Sequence, residues 1–186
     1  MTDTTRIHEG DPERVATILP GRGYTPDAPL LHYAIGVLRR RGWTVREVWW
    51  QGGTEITGDV AVTQATEALD AVDAPTQMIV AKSLGTLAMP HAVDHGIHGV
   101  WLTPLLVDPE IELAATRLTG LDLLVGGTAD SLWDAEVAAS SPARVLQIEG
   151  ANHGLEVDDS VLDSIDVLRS VTYHVEKVVE LVDPRG

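Results

Sequence analysis

Cysteine and phenylalanine are both absent from this sequence of 186 residues. Without cysteine there is no disulfide, no thiolate nucleophile, no iron–sulfur cluster and no thiolate-bound zinc. Five tryptophans supply part of the missing bulk. Basic residues are scarce: 13 Lys and Arg stand against 28 Asp and Glu, a formal charge of -15. So acidic a surface repels phosphate backbones and anionic lipid, and neither nucleic acid nor a membrane is expected as a partner. Long apolar runs are lacking too. No stretch reaches the ~18 residues of a membrane-spanning helix, and the opening MTDTTRIHEGDPERV has no signal-peptide apolar core. A cytoplasmic location is the expectation. Hydrophobic residues make up 44% of the chain, enough for a real core. The length fits one domain over 1–186, with residues 1–14 as a poorly ordered N-terminal extension.

What is present is an alternation of short apolar runs and helical periods. Residues 15–20 (VATILP), 43–50 (WTVREVWW), 77–81 (QMIVA), 99–102 (GVWL), 121–125 (LDLLV) and 144–148 (RVLQI) read as strands. Between the first two, Thr25 and Pro26 suit a helix start and Gly42 a helix end, with Leu31, Ile35 and Leu38 on one face. Ala61, Ala65, Ala68 and Val72 mark a second helix, and residues 84–94 a third that Pro90 should bend or end. From Ser160 a long helix carries Val161, Ile165, Leu168, Val175, Val179 and Val182 on one broad face, with Asp158, Asp159 and Asp163 near its positive end. Six such βα units predict a three-layer α/β/α sandwich around a doubly wound, mainly parallel sheet of about six strands. Ligands of such sheets bind at the carboxyl ends of the strands.

Three of those ends carry reactive side chains. The third strand runs through Ala81-Lys82-Ser83-Leu84-Gly85 straight into a helix. A tight strand-to-helix turn needs small residues on both sides of the serine, and Ala81 and Gly85 are small. Ser83 is equally readable as a simple helix N-cap from this pentapeptide alone. After the fifth strand comes GGTAD, ending at Asp130, and after the sixth EGANHG, containing His153. A serine hydroxyl needs an imidazole to take its proton, and the imidazole needs a carboxylate to hold its tautomer. Loops after adjacent strands five and six place Asp130 within reach of His153.

The segments ILPGRGYTPDAPLL, IVAKSLGTLAMP, LLVGGTADSLW and IEGANHGLEV resemble those of small cap-less α/β-hydrolases, the dienelactone-hydrolase-like proteins and short bacterial esterases. The resemblance spans roughly residues 15–182. It implies Ser83 as nucleophile, Asp130 as triad acid and His153 as general base. It also implies an oxyanion hole formed by the backbone N–H of Leu84 and one from the loop after the first strand, with Arg22 the best second donor and Gly23 or Tyr24 as neighbours. Ala81 departs from the family's first elbow glycine, and Pro20 replaces a histidine that often braces the oxyanion loop. The implied activity is hydrolysis of a carboxylic ester, thioester or related acyl bond of a small molecule, without metal or organic cofactor. A non-catalytic binding protein on the same fold, or an acyltransferase or peptidase with the same triad, are the rival readings. Only TPLLVDPE separates the fourth strand from the next helix, so no lid is expected and the site should be open.

Other features carry two readings. Tyr24, Trp49, Trp50, Trp101 and Trp133 fall at or beyond strand ends, where they wall an acyl pocket or pack the edge of the core. Lys82 is expected to point away from Ser83 and to form a salt bridge on the rear surface. His91, His95 and His98 have helical metal spacing. Ala92, however, stands where a hydrolytic zinc helix carries glutamate, and solvated surface histidines are the expectation. Gly21-Arg22-Gly23 lacks the remaining glycine and acid of a dinucleotide fingerprint, and the acidic run 156–159 has the wrong spacing for a calcium loop.

Overall fold

A computed structural model describes residues 5–158 and 160–183. Seven strands form one sheet: β1 (Thr5–His8), β2 (Asp11–Leu19), β3 (Trp43–Val48), β4 (Thr76–Lys82), β5 (His98–Leu102), β6 (Leu123–Gly127) and β7 (Arg144–Ile148). Their spatial order is β1-β3-β2-β4-β5-β6-β7, parallel throughout except for β1. The helices are α1 (Pro29–Arg40), α2 (Gly58–Asp70), α3 (Met89–Asp94), α4 (Pro109–Ala115), α5 (Ala135–Ser140) and α6 (Val161–Val182).

The three-layer, doubly wound architecture read from the sequence is the one observed, with one strand more. Part of the expected N-terminal extension is itself sheet. Thr5–His8 pairs antiparallel with β3, and β2 begins at Asp11 rather than Val15. Edge strand β1 escapes a hydrophobic reading because it is held by charge. Arg6 lies 3.1 Å from the buried carboxylate of Glu47, which also receives the His8 imidazole. Residues 1–4 lie outside the described residues, as does Asp159 of the acidic cluster before α6.

Helix α1 starts three residues later than Pro26 suggests. Pro29 occupies its first turn, and a proline disfavours helical backbone at the residue before it. Ala28 is accordingly extended at φ -75°, ψ 152°. Pro90 likewise does not break a helix. Residues Ser83–Ala88 form a 3₁₀ segment, and Pro90 sits in the first turn of α3, where no N–H is needed.

Helices α1 and α6 cover one face of the sheet over Leu31, Leu38, Val45, Val80, Val100 and Val175. Helices α2 to α5 cover the other over Leu69, Ile79, Met89, Trp101, Ile111 and Leu124. Each such side chain stabilises the fold by about 1.5–3 kcal/mol through removal from water. The connection from β5 to β6 contains only α4, and no lid is inserted there. No helix among the described residues is long and apolar enough to cross a membrane. The chain runs from β2 outward to β3, then crosses back past β2 to β4. That reversal opens a crevice at the carboxyl ends of β2 and β4.

Candidate active site

Ser83 stands at this crevice, immediately after β4, with φ +49°. A left-handed backbone costs a non-glycine residue energy and persists where surrounding structure enforces it. The enforcing contact is the passage of the turn over β2. A Cβ on Gly85 would lie 2.4 Å from the carbonyl oxygen of Leu19, so only glycine fits. Ala81 is fully buried in the strand below.

Asp130 and His153 meet Ser83 from the far side. The backbone N–H of Asp130 bonds Gly127 O at 3.1 Å, and its Oδ1 accepts the Leu132 N–H at 3.0 Å. Its carboxylate is 1% exposed. A Cβ on Gly127 would lie 2.1 Å from Ala151 O, so this glycine lets the end of β6 touch the β7–α6 loop. That loop is folded by Asn152, whose Oδ1 accepts the N–H groups of Gly154 and Glu156 at 2.7 and 3.2 Å. His153 Nδ1 then lies 2.7 Å from Asp130 Oδ2, and Nε2 lies 2.8 Å from Ser83 Oγ. An ionised carboxylate only accepts, so Nδ1–H donates to Asp130 and Nε2 is left to accept the Ser83 hydroxyl proton. The three side chains read from separate loops form one hydrogen-bonded row. Such a row makes a serine oxygen more nucleophilic.

Two backbone segments border Ser83 Oγ. Leu84 N–H opens a helical segment, where N–H groups have no partner within the helix. On the other side, Gly21 and Tyr24 bond each other reciprocally, at 3.2 and 3.4 Å. Gly23 in the third position has φ +69°, the geometry of a type II turn. The Gly21 N–H is thus occupied, while that of Arg22 makes no backbone bond among the described residues. A Cβ on Gly21 would lie 3.4 Å from that of Ser83, so this turn borders the nucleophile directly. Pro20 cannot brace the turn with a side chain. Trp50 does so instead, its indole Nε1 donating to Pro20 O at 3.0 Å.

The five aromatic candidates divide. Trp49 and Trp50 line a cavity of about 220 Å³ with Pro20, Gly21 and Thr54, beside the turn. Tyr24 lines a second groove, of about 440 Å³, with Leu30, Leu155, Ile165 and Leu168. Its hydroxyl accepts the Leu30 N–H at 3.0 Å, and burial pushes its pKa up. Trp101 and Trp133 do not reach the site, a correction to the pocket reading. Trp101 is fully buried within β5 among the side chains beneath α2 to α5. Trp133 packs on Gly126 and donates its Nε1 to Gln147 at 2.9 Å. Strand alternation turns Trp101 into the layer beneath α2 to α5, whereas Trp133, beyond the end of β6, folds back over Gly126, where the missing Cβ leaves room for its ring.

Lys82 also differs from expectation. It is 2% exposed and makes no rear-surface salt bridge. Its ammonium donates to Thr103 Oγ1 and to the backbone carbonyl of His153, each at 2.9 Å, and lies 4.8 Å from the centre of the Tyr24 ring. Burial drives its pKa down to about 8, partly opposed by the charge of Asp130. Thr103 has φ +43° where β5 ends, so a second strained residue belongs to this support. Lys82 joins the ends of β4 and β5 to the histidine loop beneath the row. A lysine next to the serine was the only sequence signal, and it says nothing of the loops that bury it.

No family model and no curated protein matches the sequence. Solved structures do match the fold. Est1E from Butyrivibrio proteoclasticus superposes with a TM-score of 0.70 at 15% identity, covering 94% of this chain and 93% of its own. A dienelactone hydrolase from Anabaena variabilis gives 0.67 at 15% identity, with 93% and 88% covered. The chain has the α/β-hydrolase fold. An α/β serine hydrolase without lid from Xanthomonas campestris gives 0.60 at 16% identity, again with 93% and 88% covered. Like that protein, this α/β-hydrolase-fold chain passes from β5 to β6 without a covering domain.

Proposed function

We propose that this protein is a serine hydrolase acting on a carboxylic ester, thioester or related acyl bond of a small molecule. The observation that carries the reading is the simultaneous reach of His153 to Ser83 Oγ and Asp130 Oδ2, at 2.8 and 2.7 Å. Ser83 Oγ attacks the carbonyl carbon while His153 Nε2 takes its proton. Asp130 holds the resulting imidazolium through Nδ1–H. The amides of Leu84 and Arg22 receive the carbonyl oxygen as it becomes negative, donors of a kind worth about 3–4 kcal/mol each. His153 returns the proton to the leaving alcohol or thiol, and an acyl ester of Ser83 remains. Water deprotonated by His153 then attacks that ester and frees the acid. No step calls for a metal or organic cofactor.

Ser83 lines neither of the two grooves, one of which borders the Gly21–Tyr24 turn at Tyr24 and the other at Gly21 and Gly23. An acyl chain in one and a leaving group in the other would place the carbonyl beside Ser83. With no lid over them, compact and accessible acyl groups fit best. Short p-nitrophenyl esters and acyl thioesters test the reading. Hydrolysis is expected, and Ser83→Ala or His153→Ala should lower kcat by about 10⁴ or more without unfolding the protein. A folded protein inert toward the whole panel, or a fully active Ser83→Ala variant, would reject it in favour of a binding protein or of a different nucleophile.

A further inference from the structure

At the opposite ends of the strands lies a second cluster that the hydrolytic reading does not use. His91 and His95 occupy one face of α3 and the residue just beyond it, four positions apart, with rings stacked 4.0 Å apart at 26°. Asp70, the last residue of α2, faces them, and one donor atom from each of the three lies within 4.8 Å of the others. It is the only such group among the described residues. We propose that Asp70, His91 and His95 bind one divalent transition cation of the zinc type, tying the carboxyl end of α2 to that of α3.

Donor chemistry, charge and orientation all point the same way. Two imidazoles and one carboxylate suit borderline cations such as zinc better than calcium or magnesium, which prefer oxygen alone. His95 Nδ1 is engaged with His91 O at 2.8 Å, so Nε2 is the nitrogen left free to bind metal. A backbone carbonyl on the other ring nitrogen is how ligating histidines are commonly oriented. His91 Nε2 is shielded from water and 3.0 Å from Asp70 Oδ1, yet out of hydrogen-bonding alignment with it. This nitrogen therefore has no hydrogen-bond partner. Ligands of a tetrahedral zinc stand about 3.4 Å apart, given bonds of about 2.0–2.1 Å. Asp70 and His95 are exposed and free to close the remaining distance by side-chain rotation.

The thirteen-residue α2 directs its negative end at this point, and the whole chain carries a charge of -15, both favourable to a cation. Asp94 is not part of the set, because Arg117 holds it at 2.8 Å. Both helix ends lead into the amino ends of β4 and β5, so the site lies across the sheet from Ser83. Its role is to staple two helices rather than to take part in acyl chemistry.

Tag-free protein titrated with zinc against a chromophoric chelator at pH 7.5 should bind one equivalent, and zinc should raise its melting temperature. His95→Ala, His91→Asn and Asp70→Asn should each weaken binding by at least about tenfold, the lower range for losing even an outer partner of a metal site. They should also abolish the zinc-dependent rise in melting temperature. Binding should weaken as pH is lowered, because protons compete with the metal for its ligands. Failure to bind one equivalent, or undiminished affinity in any of the three variants, overturns the site. Neither result bears on the hydrolase reading, because none of these residues approaches Ser83.

Discussion

Replacing Lys82 by methionine separates the stability of the protein from the placement of His153. Methionine keeps the length and apolar stem of the side chain and removes the charge. The drop in the lysine pKa from 10.5 to about 8 corresponds to about 3 kcal/mol against the buried ammonium. Against it stand two charge-assisted hydrogen bonds of about 1.5–3 kcal/mol each, to Thr103 Oγ1 and His153 O. Lys82→Met relieves the first term and forfeits the second, and it leaves His153 O without its donor. The net change in unfolding free energy at pH 7 is therefore small, within about 2 kcal/mol of zero. Activity should respond far more. The loop carrying His153 loses its anchor, and misplacement of a reacting group by about 1 Å costs on the order of 10²-fold in rate. A 10- to 100-fold fall in kcat on a short p-nitrophenyl ester, with little change in KM, is expected. The pH dependence has a definite sign. The unfolded chain binds the lysine proton more tightly than the folded one, so between pH 8 and 10.5 the parent gains stability relative to the variant, by up to about 3 kcal/mol. Denaturant unfolding of both proteins at pH 7 and pH 10 measures this. A variant with kcat within twofold of the parent, or a stability difference indifferent to pH, would refute the reasoning.

Two further substitutions probe the oxyanion turn and the frame. Arg22→Pro removes the N–H assigned to the oxyanion, in a turn position where proline is favoured, so kcat should fall by about 10²–10³ while circular dichroism is unchanged. Arg22→Ala, which keeps the N–H, should stay within about threefold of the parent, and equal rates for the two variants would exclude this donor. Asp122 is a buried carboxylate accepting the N–H groups of Gly99 and Thr119 at 2.7 and 2.8 Å and the Thr119 hydroxyl at 3.0 Å. Asp122→Ala should cost about 3 kcal/mol in chemical denaturation. It leaves kcat unaltered, because the residue lies at the amino end of β6.

The parts of this site that were legible in the sequence are those written locally. Ser83, Asp130 and His153 each follow an apolar strand within a few residues, and the sheet order brings β4, β6 and β7 to the same side. The small residues at 81 and 85 mark the turn because backbone proximity demands them. What escaped depends on contacts between distant segments. The burial of Lys82 needs Thr103, Tyr24 and the histidine loop together, none of which is near it in the chain. Trp101 was misplaced because a position near a strand end does not tell which layer a side chain enters, and Trp133 because its loop folds back onto Gly126 and Gln147. Strand β1 was invisible because polar side chains and Glu47, rather than an apolar stripe, hold it. Asp70 could not be joined to His91 and His95 without knowing how α2 and α3 lie together.

The central claim is that Ser83 is the nucleophile of an acyl-transfer site. Reaction of the intact protein with a fluorophosphonate, followed by peptide mass spectrometry, tests it most directly. The expected result is a single adduct on the peptide carrying Ser83, slowed by orders of magnitude in His153→Ala and missing in Ser83→Ala. A folded protein that takes up no label, or takes it up equally well without Ser83, would contradict it.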